Sequence, residues 1–125
     1  MKIAIIGTGA MGSIYASFLA KSNNEVLAID LWEDHINAIK NNGLRVSGFS
    51  GDNIVNNVKV SNNINDAKDY DLIVIATKAS GVGPVASKLS EIISKESLIL
   101  TIQNGLGAGE RIASFMPTDN VLLGV

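Results

Sequence analysis

Three glycines at fixed spacing, Gly7-x-Gly9-x-x-Gly12, follow directly on an apolar run, Ile3 to Ile6, near the head of this chain. Alone, the spacing is a weak signal; between a buried strand and a helix it is a strong one. Each glycine has a separate physical reason. Gly7 permits a sharp turn out of the strand, Gly9 puts no side chain between the backbone and a pyrophosphate, and Gly12 lets the following helix pack closely on the sheet. The candidate cofactor-binding set is therefore Gly7, Thr8, Gly9, Ala10, Met11 and Gly12. The phosphates would meet the free N–H groups and positive dipole end of the helix that begins there.

Three further residues stand where chemistry is expected. Asp30 closes the second apolar run, 18 positions after Gly12. A carboxylate at that place can accept the adenosine ribose hydroxyls and would repel a 2′-phosphate. Leu31 follows it, so no arginine stands immediately beside it to hold that phosphate, and the residue logic favours NAD(H). The alternative for Asp30 is a cap on the next helix. Thr77 and Lys78 follow the fourth strand and are expected to point into the cleft at the carboxyl ends of the strands. Lys78 could hold a substrate carboxylate or a cofactor oxygen there, or be a solvated loop lysine. Asn104 follows the fifth strand, with Gly105 and Gly107 clearing room beside it. Its amide could orient a nicotinamide ribose or a substrate oxygen, or simply make a turn.

The elements that must position these residues alternate between strand and helix. Strands are predicted over Lys2–Ile6, Glu25–Asp30, Asp71–Thr77, Leu98–Gln103 and Val121–Val125. Helices are predicted from Gly9 or Ala10 to Lys21, and over Trp32–Asn41, Ile64–Lys68, Pro84–Ser94 and Gly109–Phe115. Leu44–Ser61 reads as a hairpin-like excursion that ends in a sheet strand. Near-continuous apolar strands, such as Leu72-Ile-Val-Ile-Ala76, are the kind buried on both faces of a parallel sheet. The fold class expected is α/β: a Rossmann-type doubly wound, mainly parallel sheet with helices on both faces, forming one domain over residues 1–125.

Composition narrows the function. Of the 125 residues, 46% are hydrophobic and 18% charged, enough for a core and low enough to suggest a face that meets another domain. A net charge of -2 gives no electrostatic reason to expect nucleic acid or an anionic membrane as a partner. The chain has no cysteine, which fits a cytoplasmic protein and removes thiolate metal sites and thiol nucleophiles. No metal-ligand cluster is expected. The one histidine, His35, reads as a surface residue, Glu33-Asp34 as a solvated helix start, and Trp32 as a core residue on one face with Ile36 and Ile39, the alternative for Trp32 being a stack on adenine. The chain stops on Leu122-Leu-Gly-Val125 and is expected to be one piece of a longer protein.

Lys2-Ile-Ala-Ile-Ile-Gly-Thr-Gly-Ala-Met-Gly12, Asp30-Leu-Trp-Glu-Asp-His35, Thr77-Lys78 and Gln103-Asn-Gly-Leu-Gly107 together resemble the N-terminal domain of the ketopantoate reductase (2-dehydropantoate 2-reductase) family, over essentially the whole chain. The Thr-Lys and Gln-Asn-Gly-Leu-Gly pair is the more specific part. The resemblance implies a two-domain enzyme of pantothenate and coenzyme A biosynthesis that reduces a keto acid, 2-dehydropantoate, to (R)-pantoate with NAD(P)H. It implies supporting catalytic roles for Lys78 and Asn104 at the cofactor–substrate cleft. It places the main general acid, a lysine, and a substrate-binding glutamate in a helical C-terminal domain absent from this chain, and leaves room for a homodimer. Family habit is NADPH with a basic residue near the end of the second strand, where this chain has Asp30-Leu31. Residues 1–125 alone are expected to bind dinucleotide and turn over little or no substrate. Two other readings stay open: a two-domain dehydrogenase of another 2-keto or 3-hydroxy acid, and a non-catalytic dinucleotide sensor.

Overall fold

A computed structural model of the chain describes residues 1–48, 51–103 and 107–124. The strands are β1 (Lys2–Ile6), β2 (Glu25–Ile29), β3 (Leu44–Gly48), β4 (Gly51–Val55), β5 (Val58–Ser61), β6 (Leu72–Ile75), β7 (Leu98–Thr101) and β8 (Val121–Leu123). The helices are α1 (Ala10–Lys21), α2 (Glu33–Asn42), α3 (Val82–Ile92) and α4 (Ala108–Ala113). Six strands form one sheet in the order β5-β2-β1-β6-β7-β8, and every pairing in it is parallel. β3 and β4 pair antiparallel as a separate hairpin, and β5 then returns to the main sheet, as the Leu44–Ser61 pattern predicts.

Strand periodicity explains how the sheet is buried twice. Along β1, Ile3 and Ile5 enter one core with Ala16 and Ala20 of α1 and Ile39 of α2. Ala4 and Ile6 enter the opposite core with Val82, Ala86 and Leu89 of α3 and Ile112 of α4. Successive side chains of a strand point to opposite faces, so an uninterrupted apolar run is what two covered faces demand. Each fully buried isoleucine contributes roughly 1.5–3 kcal/mol of apolar transfer.

The differences from the sequence expectation lie at the ends of elements. The strands predicted to reach Asp30, Thr77 and Gln103 stop at Ile29, Ile75 and Thr101. That frees Asp30, Thr77 and Gln103 to make side-chain and turn contacts beyond the ladder. The predicted helix near Ile64 is a short 3-10 turn, Ile64–Ala67, entered through Asn63, whose side chain accepts from Asn65 N–H. α3 begins at Val82, ahead of Pro84, which the first turn tolerates because those N–H groups have no helical acceptor. The buried stripe of α3 is accordingly Val82, Ala86 and Leu89, with Val85, Ile92 and Ile93 packed at its margin. Trp32 is not a core residue. It occupies the position before the first turn of α2, where helical spacing does not apply, and it is 64% exposed.

Candidate functional site

The carboxyl ends of β1, β2 and β6 meet at the centre of the sheet, where the strand order reverses direction, and the glycine turn leaves β1 at that point. The three glycines differ in what surrounds them. Gly7 has φ +95°, and a Cβ there would lie 2.8 Å from Thr77 N. A Cβ on Gly12 would lie 1.8 Å from the Gly7 carbonyl oxygen. Around Gly9, its own chain neighbours aside, no atom lies within 4 Å of where a Cβ would be. The protein fills the space beside Gly7 and Gly12 itself, and leaves the face of Gly9 open.

α1 starts against that open face. Its first bond is Ser13 N–H to Gly9 O at 3.0 Å. The N–H groups of Ala10, Met11 and Gly12 therefore precede any intrahelical acceptor. No side chain caps this end, and its first turn carries no acidic residue. Such an end is a cradle for an anion, by hydrogen bonding and by the helix dipole together.

Thr8, between the first two glycines, is 2% exposed and held at every polar atom. Its N–H and hydroxyl both donate to Asp30 Oδ2, at 2.8 and 3.0 Å. Its carbonyl accepts from the Ser13 hydroxyl at 3.0 Å and faces His35 Nε2 at 2.7 Å. Asp30 Oδ1 accepts from Trp32 N–H at 3.0 Å, which ties the end of β2 to the entrance of α2. Asp30 thus braces the glycine turn. A carboxylate offers about four acceptor sites and three donors are engaged here, so room for a ribose hydroxyl remains. His35 is not a free surface residue: it reaches back to the turn, and its ring stacks on Trp32 with centroids 5.3 Å apart.

Burial by itself would raise the Asp30 pKa. The bonds from Thr8 N–H, Trp32 N–H and the Thr8 hydroxyl, with His35 nearby, outweigh it and hold the carboxyl below the ordinary aspartate value. The stability this brace contributes is complete above the ordinary value and is lost as pH falls through the depressed one. Acid titration of thermal stability is therefore expected to show a shallow loss, on the order of 1 kcal/mol because solvent screens the group, confined to pH below the usual aspartate range. Asp30→Asn should remove that segment of the curve; an unchanged acid limb in Asp30→Asn would contradict the brace.

Beside the turn lies a cavity of about 880 Å³, lined by Gly9, Asp30, Leu31, Ile64, Thr77, Lys78 and Val85 among others. It carries both apolar walls and polar groups, as ligand pockets do. Lys78 is exposed at its lip. Thr77 lines it too, but its hydroxyl oxygen is buried without a hydrogen-bond partner among the described residues, against Gly81, where a Cβ would approach to 3.0 Å.

Gln103 is a brace beside the site that residue spacing does not reveal. Its amide Nε2–H donates to Ile75 O at 2.7 Å and to Thr77 O at 3.1 Å, while Oε1 accepts from the Thr101 hydroxyl. One side chain thereby ties β7 to the end of β6 and fixes the backbone that presents Thr77 and Lys78. The signal is invisible without knowing that β6 and β7 are neighbours. Asn104 lies outside the described residues. Among the described residues no His/Cys/Asp/Glu group could hold a metal, and no helix is long and apolar enough to cross a membrane.

A six-stranded sheet in this order, with a glycine turn at the reversal point and a helix start facing a cleft, defines a doubly wound domain of the Rossmann class. The sequence matches the model of the family described as ketopantoate reductase PanE/ApbA over residues 3–125. The chain belongs to that family. It is 38% identical over 125 residues to the 2-dehydropantoate 2-reductase of Streptococcus pyogenes serotype M3, covering 100% of this chain and 40% of that protein. Identity to the 2-dehydropantoate 2-reductase of Pyrococcus abyssi is 37% over 115 residues, covering 92% of this chain and 37% of that one. Among solved structures, D-mandelate dehydrogenase with NADH and anilino(oxo)acetate superposes with a TM-score of 0.87 at 34% identity, covering 99% of this chain and 40% of that one. A PanE/ApbA family ketopantoate reductase from Ralstonia eutropha JMP134 gives 0.87 at 29% identity, over 98% and 40%. The chain thus spans about 40% of the length of the Streptococcus relative.

Proposed function

We propose that this chain is the nicotinamide-dinucleotide-binding part of a 2-dehydropantoate 2-reductase. The observation that carries the reading is the open face of Gly9, set between two glycines whose space the protein itself occupies, at a helix start with three N–H groups to offer. Support for the substrate comes from the relatives named 2-dehydropantoate 2-reductase, matched across the full length of this chain. The nicotinamide, when bound, supplies the hydride that reduces the ketone.

This chain's residues bind and position. Gly9, Ala10, Met11 and Gly12 receive the pyrophosphate on backbone N–H groups. Asp30 takes the adenosine ribose through its remaining acceptor capacity, and Leu31, Ile64 and Val85 offer the adenine an apolar wall. Lys78 puts a positive charge at the lip for the substrate carboxylate or a cofactor oxygen, and Asn104 orients the nicotinamide ribose or the keto oxygen. Placing hydride donor and ketone correctly is worth on the order of 7 kcal/mol. The proton for the developing alkoxide comes from a general acid in the rest of the protein, typically worth ~10²–10⁴-fold.

The site favours NADH. A 2′-phosphate would sit against Asp30, and position 31 offers it only leucine. Arg45 stands across the smaller depression shared with Trp32 and His35, but its guanidinium is paired in bidentate fashion with Asp52, at 3.0 and 2.7 Å. The D-mandelate dehydrogenase neighbour, solved with NADH, points the same way. Calorimetric titration should give tighter binding of NADH than of NADPH, by about tenfold for one unfavourable carboxylate–phosphate encounter. Tighter NADPH would refute the assignment. The same neighbour favours one second reading, a dehydrogenase of an aromatic 2-hydroxy acid; the ketone that this protein reduces separates the two.

A further inference from the structure

The histidine that the sequence marks as superficial makes the shortest polar contact of the glycine turn. His35 Nε2 lies 2.7 Å from the Thr8 carbonyl oxygen. A carbonyl only accepts, so Nε2 carries the hydrogen and donates. The same oxygen takes the Ser13 hydroxyl at 3.0 Å, which fills both of its lone pairs. The ring is held for this task by its stack on Trp32, inclined by 22°.

A trans peptide bond is planar, so its C=O and N–H point in opposite directions. The chain has no cis peptide among the described residues. Fixing the Thr8 carbonyl toward α2 therefore fixes the Gly9 N–H to point away from α2. That N–H has no protein acceptor among the described residues, and Gly9 borders both cavities at the site. Asp30 immobilises the other side of Thr8 through its N–H and hydroxyl. The peptide between Thr8 and Gly9 is thus clamped from both flanks before any ligand arrives.

We propose that His35 is a positioning residue for dinucleotide binding: by donating to the Thr8 carbonyl it aims the Gly9 N–H at the ligand's phosphates. The proposal rests on the dinucleotide reading of the site. It is specific to the donor on Nε2, so the test compares two amides. A glutamine N–H reaches about as far as imidazole Nε2, and an asparagine N–H falls one bond short.

NADH affinity of the whole protein is measured by calorimetry for wild type, His35→Gln and His35→Asn, with thermal midpoints alongside. Losing one such oriented hydrogen bond corresponds to roughly five- to tenfold in affinity. His35→Gln is expected to bind within about twofold of wild type, and His35→Asn five- to tenfold more weakly, with similar midpoints for both. In steady state the weakening should appear in the KM for NADH with kcat unchanged. Equal affinity of the Gln and Asn variants, whether both tight or both weak, would overturn the proposal while leaving the dinucleotide reading intact. A wild-type protein that binds neither NADH nor NADPH would overturn both.

Discussion

Replacing Gly12 by alanine is expected to disrupt the fold, whereas replacing Gly9 by alanine is expected to leave it folded and poor at holding a dinucleotide. At Gly12 the new methyl would sit 1.8 Å from a backbone oxygen, that of Gly7. Neither group ends a flexible side chain. Relief requires α1 to move off the sheet, and α1 brings Ala16 and Ala20 into one of the two cores. Overpacking typically costs 1–3 kcal/mol, and a backbone clash this close should exceed about 3 kcal/mol. Net stabilities are only about 5–15 kcal/mol, so a fall of ten degrees or more in Tm, or insolubility, is the expected result. At Gly9 the backbone has φ -70° and the methyl meets nothing within 4 Å. The cost there is that of a poorer helix cap, about 1 kcal/mol. NADH affinity should nevertheless fall at least about tenfold, because the methyl occupies the space where a phosphate must come to the backbone. Equal loss of stability in the two variants would remove the distinction between a glycine that the fold needs and one that the ligand needs.

Exchanging one atom in Gln103 is expected to have the second large effect. In Gln103→Glu an ionised carboxylate would face the carbonyl oxygens of Ile75 and Thr77, which now accept at 2.7 and 3.1 Å from Nε2. Both donated bonds would vanish and two repulsive contacts would replace them, a cost of about 3 kcal/mol or more. The repulsion raises the folded-state pKa of the new carboxyl above that of the unfolded chain. The variant should therefore lose further stability as pH rises through the unfolded value, and recover part of it when protonated. Urea unfolding at pH 5 and pH 8 reads this directly. A variant as stable as wild type at pH 8 would show that Gln103 does not clamp the strand ends.

These two cases also mark what the sequence can disclose. Ile3 to Ile6 and Leu72 to Ile75 are legible as doubly buried strands because burial on both faces leaves a run with no polar interruption. Gly7, Gly9 and Gly12 are legible as a set, but only the packed structure separates their reasons. Asp30 is legible as a carboxylate at the end of β2; its brace on Thr8 is not, since that contact spans 22 residues and depends on β1 lying beside β2. His35 is obscured in the same way, across 27 residues. Trp32 is misread as core because helical spacing was extended one residue past the start of α2. Arg45 comes near the site only because the β3–β4 hairpin folds back over α1.

The measurement closest to the central claim is the rate of NADH oxidation, followed at 340 nm, when the whole protein is offered 2-dehydropantoate or benzoylformate, the ketone of mandelate. A 2-dehydropantoate 2-reductase should consume NADH rapidly with the first ketone and at least about a hundredfold more slowly, in kcat/KM, with the second, a difference of about 2.7 kcal/mol at the transition state. Rapid turnover of benzoylformate with none of 2-dehydropantoate would contradict the assignment.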